Sequence, residues 1–175
     1  SRLEKIALLA ASSSQPGNEN DMIIELDGQF TPVEALWDGN VITFKVGTPR
    51  KKLYGEGPSA EQIQKKYGVG PFVETGGKWD SDTLWIVDTA RASLSPEELK
   101  GVAGRPFHIM EKDPSNKAVR GRSLAMYRQD AKATQIELYR LAIEMDKRKF
   151  TGTIDNPTPS SVSMLVHELG HAIAK

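Results

Sequence analysis

Met164-Leu165-Val166-His167-Glu168-Leu169-Gly170-His171-Ala172 lies near the C-terminal end of this 175-residue chain, and the fold reading starts from it. Val162, Leu165, Val166, Leu169, Ala172 and Ile173 recur at helical spacing, so the segment launched by Pro159-Ser160-Ser161 predicts a helix with one apolar face. On a helix, residues four apart share a face. His167 and His171 therefore present two imidazoles to one metal ion, for zinc through nitrogens at about 2.0–2.1 Å. Glu168 lies beside the first histidine, where it reaches a water on the metal rather than the metal itself. There it would act as general base and then pass the proton to a leaving amine. Gly170 should cost about 1 kcal/mol in an ordinary helix. Its place between the histidines suggests close packing against another backbone, or room left for a substrate. The plainer reading is a core or surface helix with two incidental histidines. Against it, the chain has only three histidines, and two fall at this spacing around a glutamate.

Met164 to Ala172, with its His-Glu-x-x-His run (HExxH), resembles the active-site helix of the zincin metallopeptidases. The resemblance covers only this last helix. It implies an α+β, zincin-like fold: a small mixed sheet packed on helices, with the active-site helix at the C-terminal end of the chain. A cleft between sheet edge and helix would take an extended peptide antiparallel to a strand. It also implies Zn2+ as cofactor, His167 and His171 as metal ligands, Glu168 as the catalytic base, and a third ligand downstream of His171. Metzincins continue with a glycine and a third histidine; Ala174 stands at the glycine position and the sequence ends at Lys175, so that subclass is unsupported. Within the chain, His108 is the one further histidine and the candidate third ligand or substrate contact. Glu74 and Asp88 are weaker carboxylate candidates, and Asp155 reads as a turn or capping residue. Tyr127 and Tyr139 are candidate oxyanion-stabilising hydroxyls, outweighed by a packing role on a long helix. The Pro157-Thr158-Pro159-Ser160-Ser161 lead-in resembles, more loosely, bacterial effector and toxin-domain zincins, in which the peptidase is a delivered module of a larger protein. Ser1 and Lys175 read as cut ends of a longer polypeptide, in keeping with a secreted or delivered effector.

Composition removes other classes. Lys plus Arg and Asp plus Glu stand at 23 each, so no net field draws nucleic acid or an anionic membrane. Short basic runs such as Arg50-Lys51-Lys52 read as solvated faces. Cysteine is absent, which excludes disulfides, thiolate metal sites and cysteine nucleophiles. No apolar stretch reaches the length of a membrane span. Gly68-Val69-Gly70 and Gly76-Gly77 lack the Lys-Ser/Thr ending of a phosphate loop. No serine sits in a nucleophile elbow.

Working back along the chain, the pattern predicts a single domain over 1–175, whose first 20 residues are a helix plus a flexible linker. Strands are expected at Met22 to Leu26 and Val41 to Val46, with a tight turn at Asp38-Gly39. A short helix is expected from Ala60 to Tyr67, capped by Ser59. Phe72-Val73 and Phe107 to Met110 read as brief strands, and Thr83 to Val87 as the best strand in the middle of the chain. Ser95-Pro96-Glu97-Glu98 starts a helix. Ser123 to Lys149 contains no Gly or Pro and reads as a long helix, with a break near Asp130. The three tryptophans, Trp37, Trp79 and Trp85, read as packing residues.

The function expected is zinc-dependent hydrolysis of a peptide bond in a protein or peptide substrate. The rivals are a non-catalytic binding or scaffold domain that keeps a zincin helix, and a zinc amidase acting on a non-protein substrate.

Overall fold

The computed structural model describes residues 4–6, 8, 20–111, 125–129 and 134–173. It is a mixed α+β chain that divides into two compact units: Ser1–Leu53 with Met145–Ser160, and Tyr54–Glu144 with Ser161–Lys175.

The first unit is built on an antiparallel meander of β1 (Asn20–Leu26), β2 (Gln29–Trp37) and β3 (Ile42–Val46). Asp27 and Gly28 both take positive φ, 53° and 75°. That is the two-residue turn whose twist matches the flanking strands. The expected Asp38-Gly39 turn joins β2 to β3. The Asp38 carboxylate accepts from the N–H of Asn40 and of Val41, at 3.0 and 2.8 Å. A second hairpin pairs β8 (Phe150–Gly152) with β9 (Pro157–Pro159). Ile6, Met22, Ile24 and Val33 form the core of this unit. Glu4–Ile6 and Leu8 are helical, as expected; the rest of the N-terminal helix and its linker lies outside the described residues.

The second unit is a four-stranded sheet of order β4-β5-β7-β6: β4 Phe72–Glu74, β5 Phe107–Met110, β6 Ala125–Gln129 and β7 Thr134–Tyr139. β4, β5 and β7 are parallel, and β6 runs antiparallel to β7. Its helices are α1 (Ala60–Tyr67), α2 (Ser81–Arg91), α3 (Pro96–Lys100), α4 (Arg140–Ile143) and α5 (Ser160–Ile173), whose first residue belongs to the other unit. Ser59, Asp80 and Ser95 each close a capping box on α1, α2 and α3, which satisfies donors the helix cannot. Gly68 ends α1 in the left-handed conformation, φ 71°, so the Gly68-Val69-Gly70 run is a helix terminus. Phe107 and Ile109 of β5, and Ile136 and Leu138 of β7, alternate onto one face. There they join Leu84, Val87, Val162, Leu165 and Leu169 of the helices in one buried cluster.

Two expectations fail. Thr83 to Val87 is not a strand but the body of α2. Its β-branched run imitates a strand, yet Thr83, Leu84, Ile86, Val87 and Ala90 are the buried positions. That is helical spacing, fixed at the start by the Asp80 cap. Ser123 to Lys149 is not a long helix either: its described residues form β6, β7, the short α4 and a 3-10 turn over Glu144–Lys147. Good helix formers are overridden where Ile136 and Leu138 can bury on one sheet face. Asp130, the expected break, lies outside the described residues. Among the described residues, no helix is long and apolar enough to cross a membrane.

Candidate metal centre

α5 is the element the sequence reading depended on, and it forms over Ser160–Ile173. Val162, Leu165, Leu169 and Ala172 are buried on one face, with Val166 and Ile173 packed beside them. The helix is held by that face, so the other is left to carry chemistry. His167, Gly170 and His171 are exposed there, and Glu168 is half-buried. The Nε2 atoms of His167 and His171 stand 2.9 Å apart. The rings meet edge to face, with centroids 4.5 Å apart. At that distance a neutral Nε2–H on one ring can donate to the Nε2 of the other.

Two nitrogens bound tetrahedrally to zinc at about 2.0–2.1 Å lie about 3.3–3.4 Å apart. The observed separation needs only a few tenths of an ångström of opening, within reach of a small side-chain rotation. Two neutral imidazoles converging through the same ring atom are a donor set that suits zinc. The arrangement thus fits two of the three protein ligands of a catalytic zinc site.

Gly170 resolves the two roles offered for it. A Cβ built there meets nothing within 4 Å, so close packing against another backbone is not its purpose. The surface beside the histidines is open.

His108 is not brought to them. It lies on β5, between Phe107 and Ile109, which point into the core shared with α5; alternation along the strand sends its side chain to the other face. Among the described residues, no group of three or more His, Asp or Glu side chains is placed to hold a metal ion. On its own face His108 joins a different constellation. Its Nδ1 is 2.7 Å from the Thr75 hydroxyl, and Glu137 is its register partner on β7. Glu137 is 1% exposed. Its two carboxylate oxygens accept from the Tyr139 hydroxyl at 2.6 Å and from Gln135 Nε2 at 2.7 Å. Burial lowers the His108 pKa from the usual 6.5, with the Glu137 charge pulling the other way.

The remaining candidates are placed elsewhere. Glu74 accepts from the backbone N–H of Trp79 at 2.8 Å. Asp88 lies on α2, not at a strand end, and pairs with Arg91 at 3.0 Å. Asp155 is exposed in the turn between β8 and β9. Tyr139 sits on a strand, fully buried, as a donor to Glu137. The side chain of Tyr127 lies outside the described residues. Trp79 and Trp85 pack against the core of the second unit. Sequence reasoning missed Glu137, Gln135 and Thr75. The alternation Gln135, Glu137, Tyr139 would have marked one polar face had 134–139 been read as a strand.

Comparison with protein-family models, curated proteins and solved structures finds no match to this chain.

Proposed function

We propose that this protein is a zinc-dependent metallopeptidase whose site is carried by α5. The observation behind it is the 2.9 Å convergence of His167 Nε2 and His171 Nε2 on an exposed helix face, with Glu168 between them in sequence. A zinc ion held there would supply Lewis-acid polarisation of a scissile carbonyl and ease the deprotonation of a water. His167 and His171 would hold and orient the ion through their Nε2 atoms. Glu168 takes the proton from the attacking water and returns it to the departing amine. Gly170 keeps the approach clear, since any side chain there would stand beside the reacting centre. The two histidines supply two of the three protein ligands that a catalytic zinc takes. The mixed sheet, with antiparallel β6 at one edge, suits a substrate lying extended along a strand. We further propose a protein or peptide substrate, and a peptidase delivered as a module of a larger polypeptide.

A non-catalytic binding domain that keeps the helix is favoured by one observation, the lack of a third donor beside the two histidines among the described residues. One experiment separates the readings: zinc content and proteolysis measured on the purified chain, its Glu168→Ala variant and its His167→Ala/His171→Ala variant. The peptidase reading expects one zinc per chain in the first two, none in the third, and cleavage by the parent alone. Metal-free parent protein after loading in chelator-free buffer sinks the metal site. Zinc in both parent and Glu168→Ala, with cleavage retained in the latter, removes Glu168 from its role.

A further inference from the structure

A cavity of about 360 Å3 lies between α1, the loop before it and the last turn of α2, apart from the histidine-bearing helix, and no part of the peptidase reading uses it. It falls within the size range of small-ligand sites, about 300–1,000 Å3. Its wall is the loop Glu56-Gly57-Pro58, pinned in place by two contacts. The Gly57 N–H donates to the Ser81 hydroxyl at 3.0 Å. A Cβ on Gly57 would fall 2.2 Å from the Ser81 carbonyl oxygen, so only glycine allows that approach. The floor is equally fixed. Ile63 is fully buried, and Tyr67 lies under the Arg91 guanidinium, 3.1 Å from ring centroid to Cζ. Arg91 is in turn held by one oxygen of Asp88.

The walls of this cavity carry charges of both signs. Lys66 lines it from α1 and Glu56 from the loop. Neither is ion-paired to the other or to any described residue. The closest charge-ring contact of Lys66 is with Tyr67, at 5.1 Å. Asp88 also lines it, from the last turn of α2. A cavity that keeps an ammonium and carboxylates on its walls, without letting Lys66 and Glu56 neutralise each other, is complementary to a ligand carrying both charges.

We infer that this cavity binds a small zwitterion, an amino acid or dipeptide with both termini free. Its carboxylate faces Lys66, its ammonium faces Glu56 and Asp88, and its apolar body lies against Tyr67. The inference stands apart from the metallopeptidase reading: it needs no metal, and either can fail alone.

The test is titration of the full 15N-labelled chain, followed by amide NMR, with L-alanine, with L-alanyl-L-alanine and with N-acetyl-alanyl-alanine amide. Saturable shifts confined to Gly57, Gln62, Lys66, Tyr67 and Asp88 are expected with at least one of the two free-ended probes, and which one responds tells amino acid from dipeptide. The doubly blocked probe should bind about tenfold more weakly or not at all. Lys66→Ala and Glu56→Gln change exposed, unpaired side chains, so they should keep the amide spectrum elsewhere and each weaken binding about tenfold. No saturable shift with either free-ended probe, or equal binding of the blocked one, or unchanged binding by both variants, overturns the proposal.

Discussion

Gly170 is exposed in mid-helix, has an ordinary helical φ and faces open space. Nothing in the fold asks for glycine there, and the backbone freedom it brings to the unfolded chain is a cost. Gly170→Ala should raise stability by about 0.5–1 kcal/mol, read as a higher denaturant midpoint with an unchanged slope. A fall in stability would mean that the site needs the glycine for the fold itself. If zinc content is kept while cleavage drops, the glycine is there to admit substrate. Glu137 is the opposite case, a residue whose surroundings dictate it. A carboxylate 1% exposed needs hydrogen-bond donors, and Tyr139 and Gln135 donate to its two oxygens.

Capping and burial act one level up, on whole helices. Asp80 starts α2 by accepting the Thr83 N–H at 2.9 Å, while its own N–H donates to the Thr83 hydroxyl. Asp80→Ala should cost about 1 kcal/mol in chemical denaturation, and Asp80→Asn much less; equal losses would shift the credit from the cap to the Arg140 charge 3.6 Å away. α5 depends on its buried face instead. Leu165 is fully buried in the core of the second unit, so Leu165→Ala should cost about 2–5 kcal/mol and loosen the helix that carries both histidines. Zinc added at saturating concentration should restore part of that loss, since a ligand of the folded state stabilises it. No restoration, in a variant that still folds, would argue against a metal site on α5.

At the scale of the whole molecule the charges balance, so pH dependence comes from individual groups in particular places. His108 has its pKa lowered below 6.5, first by burial and against the pull of Glu137. The folded state then binds fewer protons than the unfolded state just below pH 6.5. The neutral imidazole contributes stability that is full above that value and lost as pH falls through it. Asp80 is lowered below 3.8: burial raises it, but the Thr83 N–H and hydroxyl and the Arg140 charge together outweigh that. Its contribution is therefore lost only in more acidic solution. Thermal melts should show a first decline as pH falls below about 6.5 that is flattened in His108→Gln, and a later one, below 3.8, flattened in Asp80→Asn. A first decline of equal size in His108→Gln would assign it to some other group.

Much of this molecule is written locally. The capping residues Ser59, Asp80 and Ser95, the Asp38-Gly39 turn, the brief strands at Phe72 and Phe107, and α5 with two histidines one turn apart follow from neighbours within a few positions. The Asp27-Gly28 turn is equally local, an Asp-Gly pair between two strands. What the local pattern cannot carry is the choice between periods where residue type and partner disagree. Thr83 to Val87 is strand-like in composition and becomes helix because its burial follows helical spacing over Thr83, Leu84, Ile86, Val87 and Ala90. Thr134 to Tyr139 is read as helix and becomes strand because β5, from far earlier in the chain, lies alongside to pair with it. Sequence alone set the spacing of His167, Glu168 and His171. Tertiary structure decided that their face is the exposed one, and that His108 belongs with Glu137 and Thr75. The reason is physical: spacing is a property of one helix, whereas exposure and company depend on which distant apolar surfaces that helix and its sheet must bury.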